Sequence, residues 1–281
     1  MKSQYNRIKI INHKKNLGIY HSRVEAVLNS KGEYIFFLDS DDMILNSKLF
    51  EILYYYNKSY NLDIIEFTVY YQIEAKKKRF FFPEHHFYNH NHNFKNRIIY
   101  QPELSTILFY LPNSKNYSYI ICRTVWNKIY RKNILLKSIH YIGLEYFKLH
   151  YFILAEDTLI NLISFQYSNN YSNINIPGYM YNFRQSSISH LKGNKKHLIN
   201  ESISFYLFFK LFLKYTKDFD KDWNYIFYEL KAFNKYFQNF KIYNLREYNQ
   251  KVLNLLYEIE YNNKSSTEIK NYIKKLITIY N

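Results

Sequence analysis

Three carboxylates crowd together at Asp39, Asp41 and Asp42, directly after the apolar run Tyr34-Ile35-Phe36-Phe37-Leu38, with Gly32 marking the turn before it. A continuous apolar run suits a parallel strand covered on both faces, and open parallel sheets bind ligands just beyond the carboxyl ends of their strands. Asp39 and Asp41, flanking the small Ser40, repel each other at neutral pH unless a cation sits between or beside them. Magnesium or manganese suits such a pair, because these ions are often held by one or two protein carboxylates, with water and substrate phosphate completing the shell. A divalent ion there stabilises charge developing on a diphosphate leaving group. The same acids also read as an ordinary helix cap, Asp being favoured at N-caps and in the first turn. A second acidic corner, Glu156-Asp157, opens an apolar helical pattern through Leu159, Ile160, Leu162, Ile163 and Phe165. Taken alone, it too is a cap.

Order and spacing join these corners to further segments. Asn16-Leu17-Gly18, Ser22-Arg23, Gly32-Glu33-Tyr34-Ile35 and Leu38-Asp39-Ser40-Asp41-Asp42 together resemble the family 2 glycosyltransferases of the GT-A fold. The resemblance implies an inverting, metal-dependent transfer from a UDP- or GDP-sugar to a hydroxyl of a glycan, lipid or protein. Asp41 is then the chief ligand of Mn2+ or Mg2+, Asp39 holds the ribose or a metal-bound water, and Arg23 lies on the donor side. Ala155-Glu156-Asp157 looks like the family's Glu-Asp motif, with Asp157 as general base and Glu156 supporting it. A sugar hydroxyl needs such a base because it is a poor nucleophile until partly deprotonated. Val125-Trp126-Asn127-Lys128 resembles a Trp-Asn-Lys segment beside the acceptor. There Lys128 either offers its ammonium to a phosphate or packs on the sheet. Arg184 and His190, after Tyr179-Met180-Tyr181-Asn182, either clamp the diphosphate or sit in a solvated loop.

The surrounding elements must carry these groups. Arg7 to Ile11 reads as a strand, Ile19 to Asn29 as a helix, Tyr34 to Leu38 as a strand, Met43 to Tyr56 as a helix and Leu62 to Tyr71 as a strand. In the resembled family, two further strands precede this unit, and Val24 stands where many relatives carry Asn. The expected class is therefore α/β, a GT-A mixed sheet lacking its first strands over residues 1–192, followed by a helical region over 193–281. The missing strands leave a second reading, a catalytically inactive remnant that binds or scaffolds.

The net charge of +16 comes from widely spread Lys and Arg, so no nucleic-acid partner is expected; peripheral contact with acidic lipid stays open. A lone cysteine, Cys122, and no apolar run of about 20 residues point to a cytoplasmic chain, with membrane association open. Abundant Tyr and Phe beside scarce Gly reads as codon bias as much as selection. His85, His86, His90 and His92 lie in a low-complexity stretch without periodic ligand spacing, read as a loop rather than a zinc site.

Overall fold

The computed structural model describes residues 8–75, 78–83, 97–104, 124–143, 155–183, 195–219, 230, 234, 236–262 and 265–280. Arg184, His190, Cys122 and the His85–His92 cluster lie outside the described residues.

Helix α1 (Ile19–Asn29) forms over the expected span and buries Tyr20, Arg23, Val24 and Val27. Gly18 precedes it at φ 90°, a conformation that disfavours any residue with a Cβ. The Gly18 carbonyl thereby meets the backbone N–H and hydroxyl of Ser22, at 3.3 and 3.1 Å. The predicted strand at 7–11 does not form among residues 8–11. A strand needs a ladder partner, and the neighbour of this segment is a helix: Lys9 Nζ donates to Asn29 Oδ1 at 2.6 Å, and the His13 ring meets Glu25 at 2.5 Å.

Strand β1 (Tyr34–Phe36) is shorter than the apolar run that announces it. The helix predicted from Met43 begins only at α2 (Leu49–Tyr60), because Met43–Ile44 forms strand β2 instead, pairing with Met180 and Tyr179 far along the chain. Leu45 N–H then donates to Gly178 O at 3.0 Å, and the Asn46 side chain accepts from Lys48 N–H at 2.9 Å, which turns the chain into α2. The elements that follow are β3 (Ile64–Ala75), β4 (Lys78–Pro83), β5 (Ile98–Tyr100), β6 (Lys128–Arg131), α3 (Lys132–Ile142), α4 (Glu156–Tyr167) and β7 (Asn170–Phe183). Further helices along the chain are α5 (Lys195–Asp218), α6 (Arg246–Glu260) and α7 (Thr267–Tyr280).

One mixed sheet runs β1-β6-β3-β7-β2, with β4 beside β3 and β5 beside β7. Strand β3 lies parallel to β7 and antiparallel to β6, and β1 pairs antiparallel with the far side of β6. This is the mixed α/β, GT-A-like architecture expected. Among the described residues β1 has no second neighbour, and its flank with α2 forms a groove of about 470 Å³ lined by Ile35, Phe36, Phe50, Leu53 and Tyr54.

The period-2 alternation of a strand divides the core. Ile65, Phe67 and Val69 of β3 face Leu49 and Leu53 of α2, whereas Ile64 joins the cluster of α1, α3 and α4 on the other face. That second cluster continues without a break into Phe208, Phe212, Leu256 and Ile273 of the C-terminal helices. Gly178 allows β7 to pass under β3: a Cβ there would lie 2.4 Å from a Phe67 ring carbon. No helix among the described residues is long and apolar enough to cross a membrane.

Candidate active site

The turn after β1 and the start of α4 meet at Arg23. Its Nη1 donates to Glu156 Oε1 at 2.9 Å and to Asp157 Oδ1, and its Nη2 donates to Asp39 Oδ1 at 3.1 Å. The guanidinium is buried and lies 5.9 Å from the centre of the Phe37 ring. Burial favours its neutral form, but three carboxylates outweigh that, Asp157 most strongly, and hold Arg23 more firmly protonated than a free arginine. One planar cation with several fixed donors can tie acids from distant segments together in a way that a lysine cannot.

The acids are set apart by environment. Burial, then the charge of Asp157, pushes Glu156 upward towards its neutral form, and Arg23 opposes this only partly. Burial also raises Asp39, with Arg23 the largest opposing influence. Ala155, immediately before Glu156, adopts the left-handed conformation at φ 65°, which costs a residue with a Cβ about 1 kcal/mol or more. This sharp turn delivers both acids into the first turn of α4, where the helix dipole favours negative charge. Val125 N–H makes a long hydrogen bond, 3.4 Å, to Asp157 Oδ2.

The turn itself is anchored through Asp42. Tyr179 O–H donates to Asp42 Oδ2 at 2.7 Å, Asn182 N–H donates to Oδ1 at 2.8 Å, and Asp39 N–H donates to the Tyr179 oxygen at 3.3 Å. Burial pushes the Asp42 carboxyl up to about 6, against those hydrogen bonds. Asn182 Nδ2 also holds the Asp41 carbonyl at 2.5 Å. Among the described residues nothing bonds the Asp41 carboxylate, which stays half-buried at the surface of the turn. Trp126 stacks on Tyr179 and Tyr181, with ring centres 4.7 and 5.5 Å apart, closing one side.

Residues 1–136 match the family model for glycosyl transferase family 2. This stretch of the chain is similar to that family. A cholesterol galactosyltransferase of Borreliella burgdorferi is 29% identical over 140 residues, covering 48% of this chain and 36% of the relative. The chain thus spans little more than a third of that protein's length.

Arg23, Asp39, Glu156 and Asp157 are brought together, with Asp41 on the same turn. Of these, only Arg23, Asp39 and Asp41 fall within the stretch that matches the family; Glu156 and Asp157 lie beyond it. Lys128 requires a correction. It is fully buried, donating to Thr124 O at 2.8 Å and Asn127 Oδ1 at 2.7 Å and pairing with Glu66 at 3.2 Å, so its ammonium is not presented to a phosphate. It belongs to the core of the sheet. Arg184 lies outside the described residues. Tyr179, Asn182 and Phe37 support the acidic turn without a signal for it in the sequence, where the Tyr179-to-Asn182 stretch stands out only for the arginine that follows it.

Proposed function

We propose that the chain is an inverting glycosyltransferase that moves a sugar from a nucleoside-diphosphate donor to a hydroxyl acceptor. The observation that carries this reading is the single guanidinium of Arg23 joining Asp39, at the end of β1, to Asp157, at the start of α4. In the proposed reaction the acceptor oxygen attacks the anomeric carbon, the bond from that carbon to the diphosphate oxygen breaks with its electron pair leaving on the diphosphate, and the acceptor proton passes to Asp157 Oδ2. Arg23 positions Asp157 and keeps it beside the donor-side acids. Glu156, favoured neutral, lets the lone cation act mainly on Asp39 and Asp157.

Asp39 and Asp41 offer hard oxygen donors at a partly exposed turn, and the free carboxylate of Asp41 fits Mn2+ or Mg2+. Bound there, the ion would act as a Lewis acid on the diphosphate. The relative's name makes a galactosyl donor, and a sterol among lipid hydroxyls, the first substrates to test, with UDP-galactose before GDP-sugars.

Turnover of UDP-galactose with manganese, with and without acceptor, is the test. Asp157→Asn is expected to lower kcat about 10²- to 10⁴-fold while circular dichroism stays unchanged. Undiminished turnover in both Asp157→Asn and Asp41→Asn would defeat the proposal. A second reading, binding without turnover, draws on the open edge of β1. It predicts calorimetric binding of UDP and manganese with no product from any donor. We read residues 1–192 as the transferase unit and 193–281 as its helical support.

A further inference from the structure

A second constellation of metal-ligand type lies on the opposite side of α1 from Arg23. His21 and Glu25 are one helical turn apart, and His13 reaches them from the loop before the helix. His13 Nε2 is 2.5 Å and His21 Nε2 is 3.7 Å from the same oxygen, Glu25 Oε2. One ligand atom from each residue lies within 4.8 Å of the other two, and the imidazoles meet edge to face with centres 5.3 Å apart. All three are half-buried.

We propose that His13, His21 and Glu25 bind a divalent transition metal ion, zinc in particular. Two imidazoles and a carboxylate are a zinc donor set, and the softer nitrogen ligands disfavour magnesium and calcium. Ligands about 2.0–2.1 Å from a tetrahedral ion stand about 3.3 Å apart. The two distances to Glu25 bracket that value, one shorter and one longer, so small rotations of flexible side chains suffice. His21 Nδ1 is buried without a hydrogen-bond partner among the described residues, so no bond resists rotation of that ring. The fourth position is left to water.

The consequence is a clasp. Lys9 already meets Asn29 and His13 meets Glu25, so residues 9–13 run antiparallel along α1. An ion on His13 would fasten this segment, and the Asn16-to-Gly18 turn behind it, to the helix that carries Arg23. This inference does not depend on the transferase reading.

The test uses the full chain carrying Asp41→Asn, so that the acidic turn is not counted, stripped of metal and titrated with zinc alone by calorimetry. One equivalent should bind, and Tm should rise. Adding His13→Asn and His21→Asn together should weaken binding at least about 100-fold and remove the Tm rise. Zinc binding unchanged by the two histidine substitutions would overturn the proposal. So would failure of the Asp41→Asn protein itself to bind zinc. Cobalt in the protein with both histidines intact should show the intense visible absorption of a tetrahedral site; a weak octahedral spectrum would count against it even if the histidine variant failed to fold.

Discussion

Replacing Lys128 with methionine should destabilise the protein strongly. Methionine fills nearly the same volume, so the chief loss is the positive charge 3.2 Å from Glu66. Glu66 is itself buried, and among the described residues it keeps Tyr171 O–H at 3.2 Å and Asn173 Nδ2 at 3.4 Å as donors. Without the ammonium, a buried carboxylate is left without its cation, and breaking a buried ion pair in this way costs about 3–5 kcal/mol. Thr124 O retains Asn161 Nδ2 at 3.1 Å and Asn127 Oδ1 retains the Thr124 hydroxyl at 3.2 Å, so lost hydrogen bonds add only about 1 kcal/mol. The expected destabilisation is therefore about 4–6 kcal/mol. Urea titrations followed by circular dichroism measure it. A Lys128→Met, Glu66→Gln double variant should recover most of the loss. A Lys128→Met protein of unchanged stability but weakened donor affinity would refute this reasoning and return Lys128 to the substrate.

Asp42→Asn should change the pH dependence of stability. The Asp42 carboxyl is raised to about 6, so its contribution is full below the ordinary aspartate range and is lost as pH rises through about 6. The urea midpoint of Asp42→Asn, relative to the parent, should therefore improve between pH 4.5 and pH 7; an unchanged difference would contradict the burial argument. Gly178→Ala places a methyl carbon 2.4 Å from the Phe67 ring and 3.0 Å from Leu49, and should cost about 1–3 kcal/mol by overpacking, read as a fall in Tm. A companion Gly178→Ala, Phe67→Leu variant should regain part of that loss.

Much of the chemistry was legible in linear order. The apolar run ending at Asp39, the span of α1 and the start of α4 at Glu156 follow from local pattern, because a strand run, a helical period and a cap are each written within a few residues. The long-range decisions were not written there. Met43–Ile44 reads as the opening of a helix, yet its backbone finds β7. Arg7 to Ile11 reads as a strand, yet Lys9 and His13 meet a helix. Lys128 is a cation in a motif, and nothing in its neighbours along the chain reveals that Glu66 waits across the sheet. By local pattern and spacing alone, the chain determined its alternation of strands and helices and the identities of its candidate acids. Only the folded structure decided that Arg23 is enclosed by those acids, that Asp42 anchors the turn while the Asp41 carboxylate stays open, and that Lys128 is core. Which charges face one another, and which face water, depends on contacts between segments far apart in sequence, and these exist only once the sheet has closed.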